Sequence, residues 1–394
     1  MSAIPSDSPA LRSQLLQEHI APFKVFVKRP AKGLLRHDYL VPGGPYPEQW
    51  DWDGFFIGMA LAMEDAAEAI YLRNWALNYI EHSQADGFTP GLLTPHGPDL
   101  RLNQMKPVLA QGAYFAGKFL GSWDWLSEED RYARLRRIVL YREEKGFFNR
   151  DLGLAAWTDA MESGADNAVS MLDEPRGSVA AVDCNCWLYR EYRAMALIAS
   201  ALGKEDDRSF FTAKADAIKA AILATLWCAE DGTFYNVRFA DRSFIRVVEY
   251  SVVHPFWAGI ASKDQADTFF RRYLLNADEM RSPCGIRTLT KTHPAYNNAN
   301  IIKPYSNWQG PVWPIADYIF IQGLLQYGYR DDAEQVACDI IDLCIRDVRT
   351  TGGMHENYDA ETGAPLAAQN FISWNLLLLT ILPQIEKRET PFAL

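Results

Sequence analysis

A chain of 394 residues with 48% hydrophobic content has ample material for a buried core, which excludes an extended disordered protein. Its formal charge of −11, with no Lys/Arg-rich patch, argues against nucleic acid and anionic membrane surfaces as partners. No uncharged apolar run reaches the roughly 18 residues of a membrane span; the longest candidate, "ISWNLLLLTILPQI", is short and contains proline.

The N-terminal stretch "MSAIPSDSPALRSQLL" lacks a basic segment followed by an apolar one, so no signal peptide is expected. Its first eight or so residues are candidates for disorder. From there apolar residues recur at helical spacing along the whole chain, while β-branched alternation is scarce. Twelve helical segments are expected, in pairs. One set is amphipathic and charged, near 9–20, 71–84, 127–146, 206–227, 263–276 and 331–349. The other is strongly apolar and follows loops rich in aromatic and polar residues, near 53–70, 103–120, 180–202, 250–262, 313–328 and 369–385. An apolar circumference implies a buried helix and a charged stripe an outer one. The pattern therefore predicts an all-α fold, an (α/α)6 barrel of six inner and six outer helices, in a single catalytic domain over 1–394. The 34–47-residue self-similarity of an α-solenoid is absent. Residues 277–312 form a long Pro/Asn-rich connection, expected as a loop at the active site.

The six cysteines are scattered. Cys184 and Cys186 flank one asparagine, a poor geometry for pairing with each other, and no second Cys/His pair completes a zinc site. Buried free thiols in a reducing cytoplasm are expected, with neither metal nor cofactor. A homo-oligomer is compatible with the composition.

Four loops carry residues suited to chemistry. "QWDWDGFF" puts Trp50, Asp51, Trp52 and Asp53 directly before an inner helix; rings stack on sugar C–H faces and carboxylates accept hydroxyls. A helix cap and an aromatic staple would account for one such pair and leave the other unexplained. "TDAMESGADNA" gathers Asp159, Glu162, Asp166 and Asn167 around Gly164, which reads either as a turn cluster or as the seat of a general acid. "YSNWQGPVWP" places Trp308, Gln309, Gly310 and Trp313 before another inner helix. "GGMHENYDAETG" holds Glu356 between His355 and Tyr358, a general base or an exposed turn. In the expected barrel the loops that precede inner helices share one rim, so the four would converge on a funnel with acids on opposite sides. Glycoside hydrolysis needs that arrangement. Phosphate-binding, dinucleotide, zincin and serine-hydrolase motifs are absent, and His82, His96, His254, His293 and His355 are dispersed.

Taken together, "ESGADN", "HENYDAETG", "QWDWDGFF" and "NWQGPVWP" resemble glycoside hydrolase family 63 and, more distantly, the trehalases of family 37. "PGGPYPEQWDWDGFF", "LWCAEDGTFYNV", "CGIRTLTKTHPAYN" and "FISWN" extend the resemblance over about residues 40–385, closest to compact bacterial members that hydrolyse glucosylglycerate or mannosylglycerate. The resemblance implies an inverting α-glycosidase acting on a small α-glucoside or α-mannoside, with Asp166 as general acid and Glu356 as general base. It further implies that Trp50, Trp52 and Asp53 line the subsite of the cleaved sugar. Gln111, Trp308, Gly310 and Trp374 are further substrate-binding candidates and Glu162 a supporting residue. Inversion implies carboxyls ~6.5–9.5 Å apart. Gln309, Gly54 and Ala360 stand where that family commonly has Arg, Ser and Pro. Arg176, Lys303 and Arg287 are candidates to meet a glycerate carboxylate. The other readings are a sugar 2-epimerase-like isomerase on the same barrel, a trehalase-like disaccharidase, and a non-catalytic sugar-binding protein.

Overall fold

The structure is a computed structural model describing residues 8–394. The expected N-terminal disorder, and most of the stretch read for a signal peptide before α1, fall on residues outside that range or at its edge. Outer helix α1 (Pro9–His19) leads to inner α2 (Asp51–Glu64) and outer α3 (Ala69–His82), then inner α4 (Leu109–Leu120) and outer α5 (Arg131–Glu144). Two single-turn helices, α6 (Ala160–Ser163) and α7 (Val169–Leu172), precede inner α8 (Val182–Ala201) and outer α9 (Glu205–Thr225). A 3-10 turn (Tyr250–Val253) enters α10 (His254–Trp257); outer α11 (Lys263–Phe269) runs on into a π-helical turn (Phe270–Leu274). Inner α12 (Pro314–Gln326), outer α13 (Arg330–Thr351) and α14 (Leu378–Lys387), itself entered by a 3-10 turn (Ser373–Leu377), complete the chain.

The inner helices close a ring: α2 packs on α4, α4 on α8, α8 on α10, α10 on α12, α12 on α14 and α14 on α2. Outer α3, α9 and α13 cover α2, α8 and α12, and α1 seals α13 against α14. This is the (α/α)6 barrel. The seats are small residues. A Cβ on Gly54 of α2 would stand 2.3 Å from the Trp75 ring, and one on Gly112 of α4 2.4 Å from it, so Trp75 of α3 is wedged between two inner helices. Gly54, where a serine was the family expectation, is therefore required by packing. Inside the ring Phe392 packs on Phe55, Phe56, Phe115, Trp257 and Tyr318, drawn from four inner helices.

Three inner helices start later or run shorter than their apolar spacing suggests, each for a local reason. Pro107 disfavours helical backbone at Lys106, so α4 begins at Leu109 and not near 103. Pro255 starts α10 and left-handed Gly259 (φ 67°) follows it closely, leaving one turn where 250–262 was expected. The chain turns at 369–370, with Asn370 in the left-handed region (φ 62°) and Phe371 bridged to Gly43, so helical backbone begins only at Ser373. Short antiparallel pieces stiffen the loops; Gln49–Trp50, for example, pairs with Leu92–Thr94. All six cysteines are free thiols, and Cys284 alone among them is half-buried.

Candidate active site

The segments leading into α2, α4, α8, α12 and α14 meet around a cavity of about 250 Å³. Its wall includes Tyr46, Trp50, Trp52 and Asp53 from the first, Lys106 from the second, and Met161, Gly164 and Asp166 from the third. Ile302, Pro304, Tyr305, Ser306 and Trp313 come from the fourth, and Glu356, Phe371 and Trp374 from the last. Just below the span of ordinary ligand pockets, roughly 300–1,000 Å³, such a space suits a sugar ring with a small substituent and not a polymer.

Each acid is positioned by its own local chemistry. Asp159 caps α6 by accepting from Glu162 N at 3.1 Å, and Gly164 (φ 87°) ends it in the left-handed region. A Cβ on Gly164 would lie 2.7 Å from the Trp52 ring, so glycine is what lets the acidic turn close over that tryptophan. Asp166 Oδ2 then accepts from Ser306 Oγ at 2.6 Å and Ser306 N at 3.0 Å. The neighbouring Asn167 locks the two loops: its Oδ1 accepts from Trp308 N at 2.6 Å, and its carbonyl accepts from Gln309 Nε2 at 2.9 Å. Gln309 is thus a clamp between loops at the position where the family resemblance called for Arg.

Glu356 follows α13, which ends at left-handed Gly352. His355 and Tyr358 do not bracket its carboxylate for chemistry. Both turn to Asp347 on α13: His355 N and Nδ1 lie 3.0 and 2.9 Å from Asp347 Oδ2, and Tyr358 Oη donates to it at 2.9 Å. Val312 and Tyr358 exchange backbone hydrogen bonds at 2.8 and 2.9 Å, tying this loop to the Trp313 segment. The Glu356 side chain is 7% exposed and accepts no hydrogen bond from the described residues. Burial, then the charges of Asp53 and Asp166, push its pKa up to about 8.

Asp53, in the first turn of α2, accepts from Ser373 Oγ at 2.6 Å. Burial raises it to about 7 against the opposing effect of that bond. Burial also raises Asp166, opposed by the two Ser306 donors and by Lys106. The Tyr46 hydroxyl is held far above its ordinary range by burial and then by Glu356, Asp53 and Asp166. Three carboxylates therefore face one another across the cavity and titrate as a set, with macroscopic values that belong to the cluster.

Of the residues singled out from sequence, Trp50, Trp52, Asp53, Asp166, Glu356 and Trp374 line the cavity. Four others lie elsewhere. Trp308 is stacked behind Trp313, with ring centroids 4.0 Å apart at 17°, and of the two it is Trp313 that lines the cavity. Gly310 (φ 150°) serves a close crossing, since a Cβ there would stand 2.4 Å from the Asn297 carbonyl. Gln111 is fully buried on α4, donating to Pro107 O at 2.6 Å and accepting from Arg190 Nε at 2.9 Å. Glu162 turns away to Arg142, at 2.8 Å, and to Thr158 N, bracing the acidic turn from behind. The proposed cations also move. Arg287 is buried and paired with Glu361 at 2.7 Å, Arg176 is exposed near Asp159, and Lys303 is exposed between the lining residues Ile302 and Pro304. Sequence reading missed Tyr46, Lys106, Ser306 and Phe371. Lys106 and Phe371 were assigned to helices, although Pro107 signals a break just after the lysine. Among the described residues, none that lines the cavity is a histidine. His254, which burial lowers to about 3, is in the core beside Trp187 and Tyr250.

A family model described as the mannosylglycerate hydrolase MGH1-like glycoside hydrolase domain matches residues 46–374. The chain is 26% identical over 195 residues to a mannosylglycerate hydrolase of Rubrobacter radiotolerans, covering 50% of this chain and 41% of that protein. It thus spans about two-fifths of that relative's length. It is 20% identical to a periplasmic trehalase of Escherichia coli over 96% of this chain and 75% of the trehalase. The fold is similar to that of a glycoside hydrolase family 63 mannosylglycerate hydrolase from Thermus thermophilus, solved with glucose: TM-score 0.69, 19% identity, 94% of this chain and 98% of the other. It is also similar to the neutral trehalase of Saccharomyces cerevisiae: TM-score 0.66, 16% identity, 90% and 76%. At these identities the structural likenesses establish the fold. No helix among the described residues is long and apolar enough to cross a membrane.

Proposed function

The chain belongs to the mannosylglycerate hydrolase MGH1-like glycoside hydrolase family, and from that premise we propose that it is an inverting α-glycosidase of small α-glucosides or α-mannosides. The carrying observation is that Asp166 and Glu356, 190 positions apart in sequence (356 − 166), face one small aromatic cavity from opposite loops. In this reading Asp166 protonates the departing glycosidic oxygen, and Glu356 takes a proton from the water that attacks the anomeric carbon from the other side. Asp53 accepts sugar hydroxyls, and Trp52, Trp313 and Trp374 offer faces to the ring. Loop support for the acid comes from Ser306, and for the base from the Asp347 anchor. Free thiols support a reducing, cytoplasmic location.

Burial favours a proton on both acids, and the two Ser306 donors oppose it at Asp166. Substrate separates the two: the unprotonated glycosidic oxygen can only accept a hydrogen bond, which selects protonated Asp166, and the attacking water donates, which selects ionised Glu356.

The test is hydrolysis of α-glucosyl and α-mannosyl glycosides followed by proton NMR, in the wild type, Asp166→Asn and Glu356→Gln. Release of the β-anomer, lost in both variants, is expected. A glycosyl fluoride, whose leaving group needs little protonation, restores turnover in Asp166→Asn and not in Glu356→Gln. Restoration in the opposite variant exchanges the roles, and wild-type rates in either variant overturn the assignment. Interconversion of free hexoses would favour the isomerase reading, for which the cavity supplies no histidine.

A further inference from the structure

Lys106 is the single positively charged side chain in the wall of the acidic cavity among the described residues. It stands in the turn that Pro107 keeps out of α4. Its stem passes between two elements of the site: a Cβ on Gly164 would meet its Cε at 3.0 Å, and its Nζ lies 4.9 Å from the centre of the Trp52 ring. The backbone is fixed, because Lys106 N donates to Asp51 Oδ2 at 2.8 Å while Asp51 Oδ1 accepts from Trp52 N at 2.7 Å. The head group is not. Its one hydrogen-bond partner among the described residues is Asp51 Oδ1 at 3.5 Å, the outer limit of a hydrogen bond, although the side chain is only 11% exposed.

An ammonium carries three N–H donors, and leaving them unsatisfied in a desolvated position is costly. Most other charged side chains as deeply buried near the site have short partners: Arg142 has Glu162 at 2.8 Å and Asp53 has Ser373 at 2.6 Å. Lys106 keeps its donors free beside a cavity that holds Asp53, Asp166 and Glu356, with Tyr46 as a further titratable group and Asp51 behind it. Its stem lies between Gly164, in the turn that carries Asp166, and Trp52, the residue before Asp53, and its charge opposes the effect of burial on both carboxyls.

We propose that the Lys106 ammonium binds substrate directly, donating hydrogen bonds to oxygens at the junction of the sugar ring and its leaving group. The assignment rests on the glycosidase reading above. It gives the site a cation that sequence reading sought in Arg176, Lys303 and Arg287. It also explains the turn: Asp51 holds the lysine's backbone and Trp52 its stem, so the free head group is aimed without a strong ion pair to compete with substrate. Met at this position would keep the stem and remove the donors.

The experiment compares wild type with Lys106→Met, using the α-glycoside that the wild type turns over fastest. Loss of a charge-assisted bond predicts a fall of about 10- to 100-fold in kcat/KM. It also predicts that the limb of the pH profile belonging to Asp166 moves to higher pH, because the lysine's charge no longer favours the ionised acid. A purely structural role would leave that limb in place. In parallel, quenching of tryptophan fluorescence measures binding of the same glycosides, and of glucose and mannose, to Glu356→Gln with and without Lys106→Met. Weaker binding in the double variant, with an unchanged melting temperature, supports the assignment even if the wild type hydrolyses nothing on the panel, an outcome that would refute only the glycosidase reading. Equal binding, or kcat/KM within about twofold and an unmoved pH limb, overturns it, as does failure of any of these sugars to bind.

Discussion

Replacing Glu356 by Gln should make this protein more stable in alkaline solution while it abolishes turnover. Glu356 is buried without a donor among the described residues, and its pKa is pushed from the ordinary 4.5 to about 8. Between those values the folded chain keeps a proton that the unfolded chain has released. The folded state therefore binds more protons, and stability falls as pH rises through the window. Above it the full penalty of a buried carboxylate is present, and glutamine never incurs it. At about 1.4 kcal/mol per pH unit the rise from 4.5 to about 8 sets an upper bound of roughly 5 kcal/mol. Part of the rise comes from Asp53 and Asp166, which titrate alongside it, and the carboxylate opens on a cavity that admits water. The expected gain is thus about 2 kcal/mol. With 394 residues and ~2.1 cal/mol/K for each, the unfolding entropy is roughly 0.8 kcal/mol/K, so the melting temperature rises about 2–3 °C. Calorimetric melts at about pH 9 and about pH 5 are the assay, with the gain present at the first and absent at the second. An equal shift at both pH values, or a loss at the alkaline one, would refute the account of Glu356 as a carboxylate destabilised by its site.

Three other substitutions probe separate parts of the structure. Ser306→Ala removes the 2.6 Å donor to Asp166 but keeps the backbone donor; the Asp166 limb of the kcat/KM profile should move to higher pH, with less than about a tenfold change at the optimum. Gly54→Ser forces an atom to within about 2.3 Å of the Trp75 ring; chemical denaturation should show a loss of about 1–3 kcal/mol, and a neutral result would mean that Trp75 can move. Phe392→Ala empties the space among Phe55, Phe56, Phe115, Trp257 and Tyr318; a loss of about 3–5 kcal/mol is expected in the same assay, with KM unchanged, because Phe392 does not line the cavity.

The sequence by itself determined the helices and the order of the loops. Apolar spacing is a local property, set by 3.6 residues per turn, and it separated inner from outer helices before any contact was known. Gly164 and Gly352 likewise marked the acidic loops as turns, whereas the break at Pro107 was read through as helix. Tertiary structure alone decided which side chain of each loop reaches the cavity. Trp308 and Trp313 are equally aromatic in sequence, and only their stacking turns one inward and hides the other. Glu162 and Asp166 sit in one turn, yet Arg142 from α5 claims the first and Ser306, 140 residues away, donates to the second. Asp53 meets Ser373 across 320 residues. Lys106 went unnoticed because its value depends on Gly164 and Trp52 coming to either side of it. Such pairings are settled by long-range packing and by which donors and acceptors burial leaves in need of a partner, and neither is written in the spacing of neighbouring residues.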